Sequence, residues 1–481
     1  MENIEVSDVV DAVLLYFEGD KPGGNVRSVE EHRVEPVGYG LSSTTERYSW
    51  AAITLVILVS IVIRLWMLSL VAHAPLASDA ADYKETAQLL LGGKPFFPYW
   101  PPGLPLYLAP ILAAGGGDVW LRASMLIWWL LFCAALVRLA RDLGVTQKVV
   151  LLLLAIFSLA PALVHFSIEP MTQMPSAALL LVALSAALRC SRGAGWTEAL
   201  WMGGSLGWLA LVRPSALPLL FVLPALVYLG RRQVLRPLLA VALGCVMIFA
   251  WMGKVHELSG QWTINNSNGM NLYFGNNPWT PLYRTWYFGS HAKPGTEEIS
   301  QFPQYQEVLE RVGSLPEGER SAEYKRLAEQ DMLHRPDMFL LRTMNRIRCF
   351  WGFDIFTAAN LRSAGGSAAR WFLPVFLLDG ACYLVIAGFT FYWVAVAPGA
   401  FWRRGEVWLL AGAIVLYALP YWISMSHPSY HFPIVAPLAL LGVIAQDQVH
   451  FLKTRAPWRG WVALAGLALI QVEWVYFLAK S

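Results

Sequence analysis

Apolar runs recur along most of this chain, separated by short polar stretches. A helix needs roughly 20 such residues to cross about 30 Å of hydrocarbon, so the pattern predicts an all-α polytopic membrane protein. Eleven spans follow from it: about 50–72, 119–138, 148–166, 171–189, 197–212, 214–230, 237–255, 371–397, 406–425, 431–451 and 460–478. Two polar segments between spans are long, 73–118 and 256–370. The chain therefore divides into a tail (1–48), an N-terminal membrane module with its loop (49–255), a large inter-span segment (256–370) and C-terminal membrane helices (371–481). The tail is charged and rich in Gly, Ser and Glu, with one short helix expected at 5–18.

The basic residues give this pattern a direction. Arg138, Arg141 and Lys148 fall between spans two and three, Arg189 and Arg192 between four and five, and Arg231, Arg232 and Arg236 between six and seven. Arg403 and Arg404 follow span eight, and Lys453, Arg455 and Arg459 follow span ten. The alternate short loops carry only Arg213. This alternation predicts a cytoplasmic N-terminus in the cell (inner) membrane. It puts 73–118, 256–370 and the turns at 165–171, 212–216 and 424–432 on the extracytoplasmic face.

Composition agrees: 56% of the 481 residues are hydrophobic and 14% charged, with 22 tryptophans. Soluble domains carry about a quarter charged residues. A net charge of +3 is too small to argue for nucleic acid. The five cysteines show no metal-type or paired spacing and read as small apolar filler. "MENIEVSD" lacks the basic start and apolar core of a cleavable signal. Neither inverted repeats nor carboxylate–lysine pairs within the spans stand out, which argues against transport.

The candidate chemistry gathers on the extracytoplasmic side. Asp79 and Asp82 open a helix expected from Ser78, where positions 79, 82, 83, 86 and 90 share a face. They either cap that helix against its dipole or serve as a base for an attacking hydroxyl. Pro102 and Pro105 suit a turn into a short interfacial helix, 104–113. Glu169 sits at a hairpin tip, where a solvated charge is common. Arg213, between two apolar spans, needs an anion: Glu169, an aspartate or a phosphate. Lipid-headgroup snorkelling is its plainer role.

Asn268 and Asn271 lie in "NNSNGMNLYFGNNPW" (265–279), whose Asn and Gly favour left-handed turns and offer donors to hydroxyl-rich ligands. An amphipathic helix is expected over 336–352, with Met338, Leu341, Met344, Ile347 and Phe350 on the membrane and Arg342, Arg346 and Arg348 at headgroup depth. His427, Tyr430 and His431 stand at the mouth of span ten. Pro428 and the lack of a third ligand argue against zinc there. "GGK", ending at Lys94, lacks a nucleotide-loop pattern.

The order "SDAADYKETAQLLLGG", "PPGLP", "HFSIEP", "LALVRPSALP", "NGMNLYFGNNP" and "SHPSYHFPIVAPLALL" resembles the polyprenyl-phosphate-dependent glycosyltransferases of the GT-C fold. That group includes the protein O-mannosyltransferases and aminoarabinose transferases, and the resemblance covers roughly residues 50–450. It implies a GT-C helical bundle and an inverting glycosyltransferase. The implied donor is a sugar on a polyprenyl phosphate, and the acceptor a hydroxyl on a lipid, glycan or protein. It also implies that Asp79 is the base, with Asp82 as the alternative and Glu169 as the companion acid. Lys94, Arg213 and Arg346 are candidate phosphate contacts. Asn268, Asn271, Tyr430 and His431 are further candidate substrate contacts. Ala80 stands where many members have a glutamate, and Ser429 where they have an arginine. No cofactor is required, and a divalent metal is compatible with the carboxylates. The competing class is a transporter or flippase of lipid-linked sugars.

Overall fold

The structure is a computed structural model and describes residues 49–93, 96–280, 302–452 and 456–480. All regular structure among them is helical. Among the described residues, eight helices are long and apolar enough to cross a membrane: Trp50–Val71, Asp118–Asp142, Gln173–Ser191, Pro214–Arg231, Leu235–Ser259, Phe372–Val396, Gly405–Ile423 and Pro428–His450. Three more helices occupy the remaining expected spans: Gln147–Leu159 continued by Pro161–Phe166, Trp196–Val212, and Pro457–Lys480. The helix expected at 5–18 and the Lys94 site lie outside the described residues.

We label the elements that position the site as α1 (Trp50–Val71), α2 (Asp79–Gly92), α3 (Gly103–Ala113), α4 (Asp118–Asp142), α5 (Gln147–Leu159), α6 (Pro161–Phe166), α7 (Gln173–Ser191), α8 (Trp196–Val212), α9 (Leu217–Arg231) and α10 (Leu235–Ser259). Beyond them come α11 (Asn268–Gly275), α12 (Pro303–Gly313), α13 (Glu317–His334), α14 (Pro336–Phe350), α15 (Phe356–Ala364), α16 (Phe372–Val396), α17 (Gly405–Ile423), α18 (Val435–Leu452) and α19 (Pro457–Lys480).

The core forms around α7, which is buried over nearly its whole length and packs between α4 and α8. Small residues set the spacing elsewhere. A Cβ on Gly203 of α8 would lie 2.5 Å from the Ala240 carbonyl oxygen of α10, so these two helices meet backbone to backbone. α1 behaves differently: its leucines and tryptophans are largely exposed, as suits a lipid-facing helix.

Two expectations are corrected. Residues 268–275 form helix α11 rather than a run of left-handed turns. Its glycines serve close packing, since a Cβ on Gly275 would fall 1.6 Å from the Ser424 carbonyl oxygen and one on Gly269 would fall 1.9 Å from that of Ser321. Helix α14 forms where expected, and Leu341 and Met344 of its expected membrane face are exposed, but Phe350 of that face and two of the arginines, Arg342 and Arg346, turn inward. The reason is polar: Arg342 pairs with Asp331 at 2.8 Å, and Arg346 is drawn to backbone carbonyls inside the fold.

Candidate functional site

Arg213 ends α8 in an extended conformation, and its guanidinium turns inward at 8% exposure. It meets hydroxyls instead of an acid. Nη1 donates to the Tyr421 hydroxyl at 2.9 Å, and Ser215 Oγ donates to the same oxygen at 2.8 Å. The Tyr430 ring lies 5.5 Å from Cζ and packs on Tyr421 at 4.7 Å. No carboxylate lies within ion-pair distance of Arg213 among the described residues, and its Nε is buried without a partner. A buried charge normally carries a partner, because desolvation is costly.

Asp79 belongs to the same cluster. It is the first residue of α2, following Ser78 at φ 52, a backbone angle that non-glycine residues rarely adopt. Tyr83, one turn on, is buried between the two charges. Burial first, then the Asp79 charge, push its hydroxyl above the ordinary range, while Arg213 opposes the rise. Thr172 also opposes the rise, and Tyr430 adds to it. Asp82 faces Tyr99, whose hydroxyl is pushed up to about 12 by burial, then by Asp79 and Asp82. Trp100 packs edge-on against both tyrosines, at 5.3 Å from Tyr83 and 5.0 Å from Tyr99. Asp79, Asp82, Arg213 and Tyr430 therefore share one end of the bundle, linked by tyrosines.

The other predicted residues are placed differently. Glu169 is paired with Arg122, at 2.8 Å from Nε and 3.3 Å from Nη2. Burial raises its carboxyl above the ordinary value, and Arg122 opposes that shift. The remaining Arg122 donors reach the Ala74 carbonyl at 2.6 Å and the Pro75 carbonyl at 3.3 Å. Arg346 donates to the Trp422 carbonyl at 2.6 Å, the Gly275 carbonyl at 2.7 Å and Thr343 Oγ1 at 2.9 Å. Burial, then Arg342, lower its pKa to about 9. Its donors are engaged within the protein, so it ties α14 to the end of α17 and to α11. His431 Nδ1 lies 2.8 Å from the Phe350 carbonyl, and its ring stacks on Tyr383 at 4.1 Å. Asn268 donates to Asn265 Oδ1 at 3.0 Å, and Asn271 sits half-buried on α11.

Arg122, Tyr83 and Tyr421 escaped the sequence reading. Arg122 lies within the apolar run predicted as span two, and its isolation there was the available signal. Nothing in the chain separates Tyr83 and Tyr421 from other interfacial tyrosines. Among the described residues, no three His, Cys, Asp or Glu side chains gather as a metal-binding group. No family model, curated protein or solved structure matches the chain.

Proposed function

We propose that this protein is an inverting membrane glycosyltransferase of GT-C type. In this reading all eleven helices span the bilayer, the N-terminus is cytoplasmic and the site faces outward. A sugar moves from a polyprenyl-phosphate donor to an acceptor hydroxyl on a lipid, glycan or protein. The observation that carries this reading is Arg213, a buried guanidinium with an unpartnered Nε and no carboxylate within ion-pair distance among the described residues, in one cluster with the acid Asp79.

The chemistry follows from that pairing. A lipid phosphate supplies the anion that Arg213 lacks, and the guanidinium stabilises the charge that grows on the phosphate oxygens as the anomeric bond breaks. Asp79 takes the proton of the acceptor hydroxyl, with Asp82 beside Tyr99 as the alternative base. Lys94 lies close in sequence to α2 as a further phosphate contact. Glu169 acts at one remove, holding Arg122 on the carbonyls that begin the first inter-span segment.

The experiment is binding of polyprenyl phosphate to purified protein and to its Arg213→Gln and Arg213→Lys variants. The account expects a loss of at least about tenfold for the glutamine variant, as for a charge-assisted bond worth roughly 1.5–3 kcal/mol, with partial recovery by lysine. Binding unchanged by both substitutions contradicts it.

A further inference from the structure

A second buried polar site is walled in part by Ser429 and His431 of the 3-10 segment Pro428–Ile434 that also carries Tyr430. There, a cavity of about 30 Å³ is lined by Asp354, Asp379, Ser429 and His431, among apolar neighbours. No lysine or arginine lines it. Asp354 and Asp379 are each 7% exposed. Asp354 Oδ1 accepts from the Phe356 N–H at 3.0 Å, while Oδ2 is buried without a partner. Asp379, on α16, accepts from the Ala162 N–H at 3.1 Å through one oxygen.

The helix break completes the wall. Ala160 and Phe157 line the cavity where α5 stops and α6 begins. Pro161 has no N–H, so the Phe157 carbonyl loses its helical partner. Two carboxylates beside a helix break thus border a space sized for one water-sized occupant. Two buried carboxylates with no lysine or arginine in the lining call for a compensating positive charge.

We propose that this cavity is a binding site for one monovalent cation, taken either as a proton shared by Asp354 and Asp379 or as an alkali ion. Unwound helices that expose carbonyls beside carboxylates are suited to such cations. Burial pushes the Asp354 carboxyl up to about 6, in line with a site that lacks its positive charge. Other titratable groups near the pair are Cys382 and Tyr383 on α16 and His431 on the 3-10 segment. His165 of α6 faces Phe356 at 5.9 Å. The site is independent of the glycosyltransferase reading.

The test is thermal unfolding of the purified full chain in detergent, with sodium, potassium or N-methylglucamine as the only cation, across mildly acidic to alkaline pH. An alkali-ion site gives a lower Tm in N-methylglucamine at alkaline pH. A proton site gives a Tm that ignores the alkali ion but falls as pH rises through about 6 and beyond, because a raised carboxyl pKa stabilises the fold only while protonated. Asp379→Asn removes either dependence. Asp354→Asn, a loop substitution that keeps an acceptor for the Phe356 N–H, does the same and serves if the first variant fails to fold. A wild-type Tm that follows neither cation nor pH overturns the proposal. So does a dependence that survives in both variants.

Discussion

At the residue scale, the site rests on which charges have partners. Arg122 and Glu169 satisfy one another inside the fold, at 3% and 16% side-chain exposure, whereas among the described residues Arg213 meets the Tyr421 hydroxyl and the Tyr430 ring. Breaking a buried pair strands a charge, at a cost of about 3–5 kcal/mol. Glu169→Gln is therefore expected to destabilise the purified protein by about 2–4 kcal/mol in denaturant or thermal unfolding. Replacing both partners with apolar residues is expected to recover part of that loss. Tyr421→Phe removes the acceptor shared by Arg213 and Ser215 and strands their donors, so it should lower stability by about 1–3 kcal/mol and weaken polyprenyl-phosphate binding. The sequence exposed Asp79, Asp82, Glu169 and Arg213 as unusual polar residues in an apolar chain. It could not show that Glu169 is engaged by Arg122 rather than by Arg213, because the partner lies 47 positions away and hidden in an apolar run.

At the scale of elements, hydrophobic run length located the helices well, since the requirement to bury or lipidate about 20 residues leaves a long signature. Rotation and local conformation were less legible. α14 keeps Leu341 and Met344 exposed as expected, yet Phe350 is buried and Arg342 and Arg346 find partners inside instead of lying at headgroup depth, because buried guanidinium groups must be satisfied. α11 was expected as turns because Asn and Gly favour them, but its glycines are present for contact. Gly275→Ala puts a methyl group into the Ser424 carbonyl, so a loss of about 1–3 kcal/mol is expected from overpacking. Thermal unfolding of that variant, beside Gly253→Ala where a Cβ meets nothing within 4 Å, checks the point.

At the scale of the whole molecule, eight helices among the described residues are long and apolar enough to cross a membrane, and the basic residues supply the expected orientation. Ala114→Cys and Thr197→Cys, both at exposed positions at opposite ends of the helical order, test it. Ala114→Cys is expected to react with an impermeant thiol reagent in intact cells, and Thr197→Cys only after permeabilisation. The reverse pattern would invert the site. The clustering of Asp79, Tyr83, Arg213 and Tyr430 joins segments more than 300 positions apart, which no local pattern could announce; only the shared side of the expected topology hinted at it. The most direct measurement is sugar transfer in membranes by the wild type and by Asp79→Asn, Asp82→Asn and Glu169→Gln, with polyprenyl phosphate quantified as the released product. Loss of a general base costs roughly 10²–10⁴-fold, and the account predicts a fall of that order for Asp79→Asn, with release of polyprenyl phosphate falling in step. Wild-type turnover in all three variants, or movement of the lipid-linked sugar across the membrane without release of polyprenyl phosphate, would contradict it.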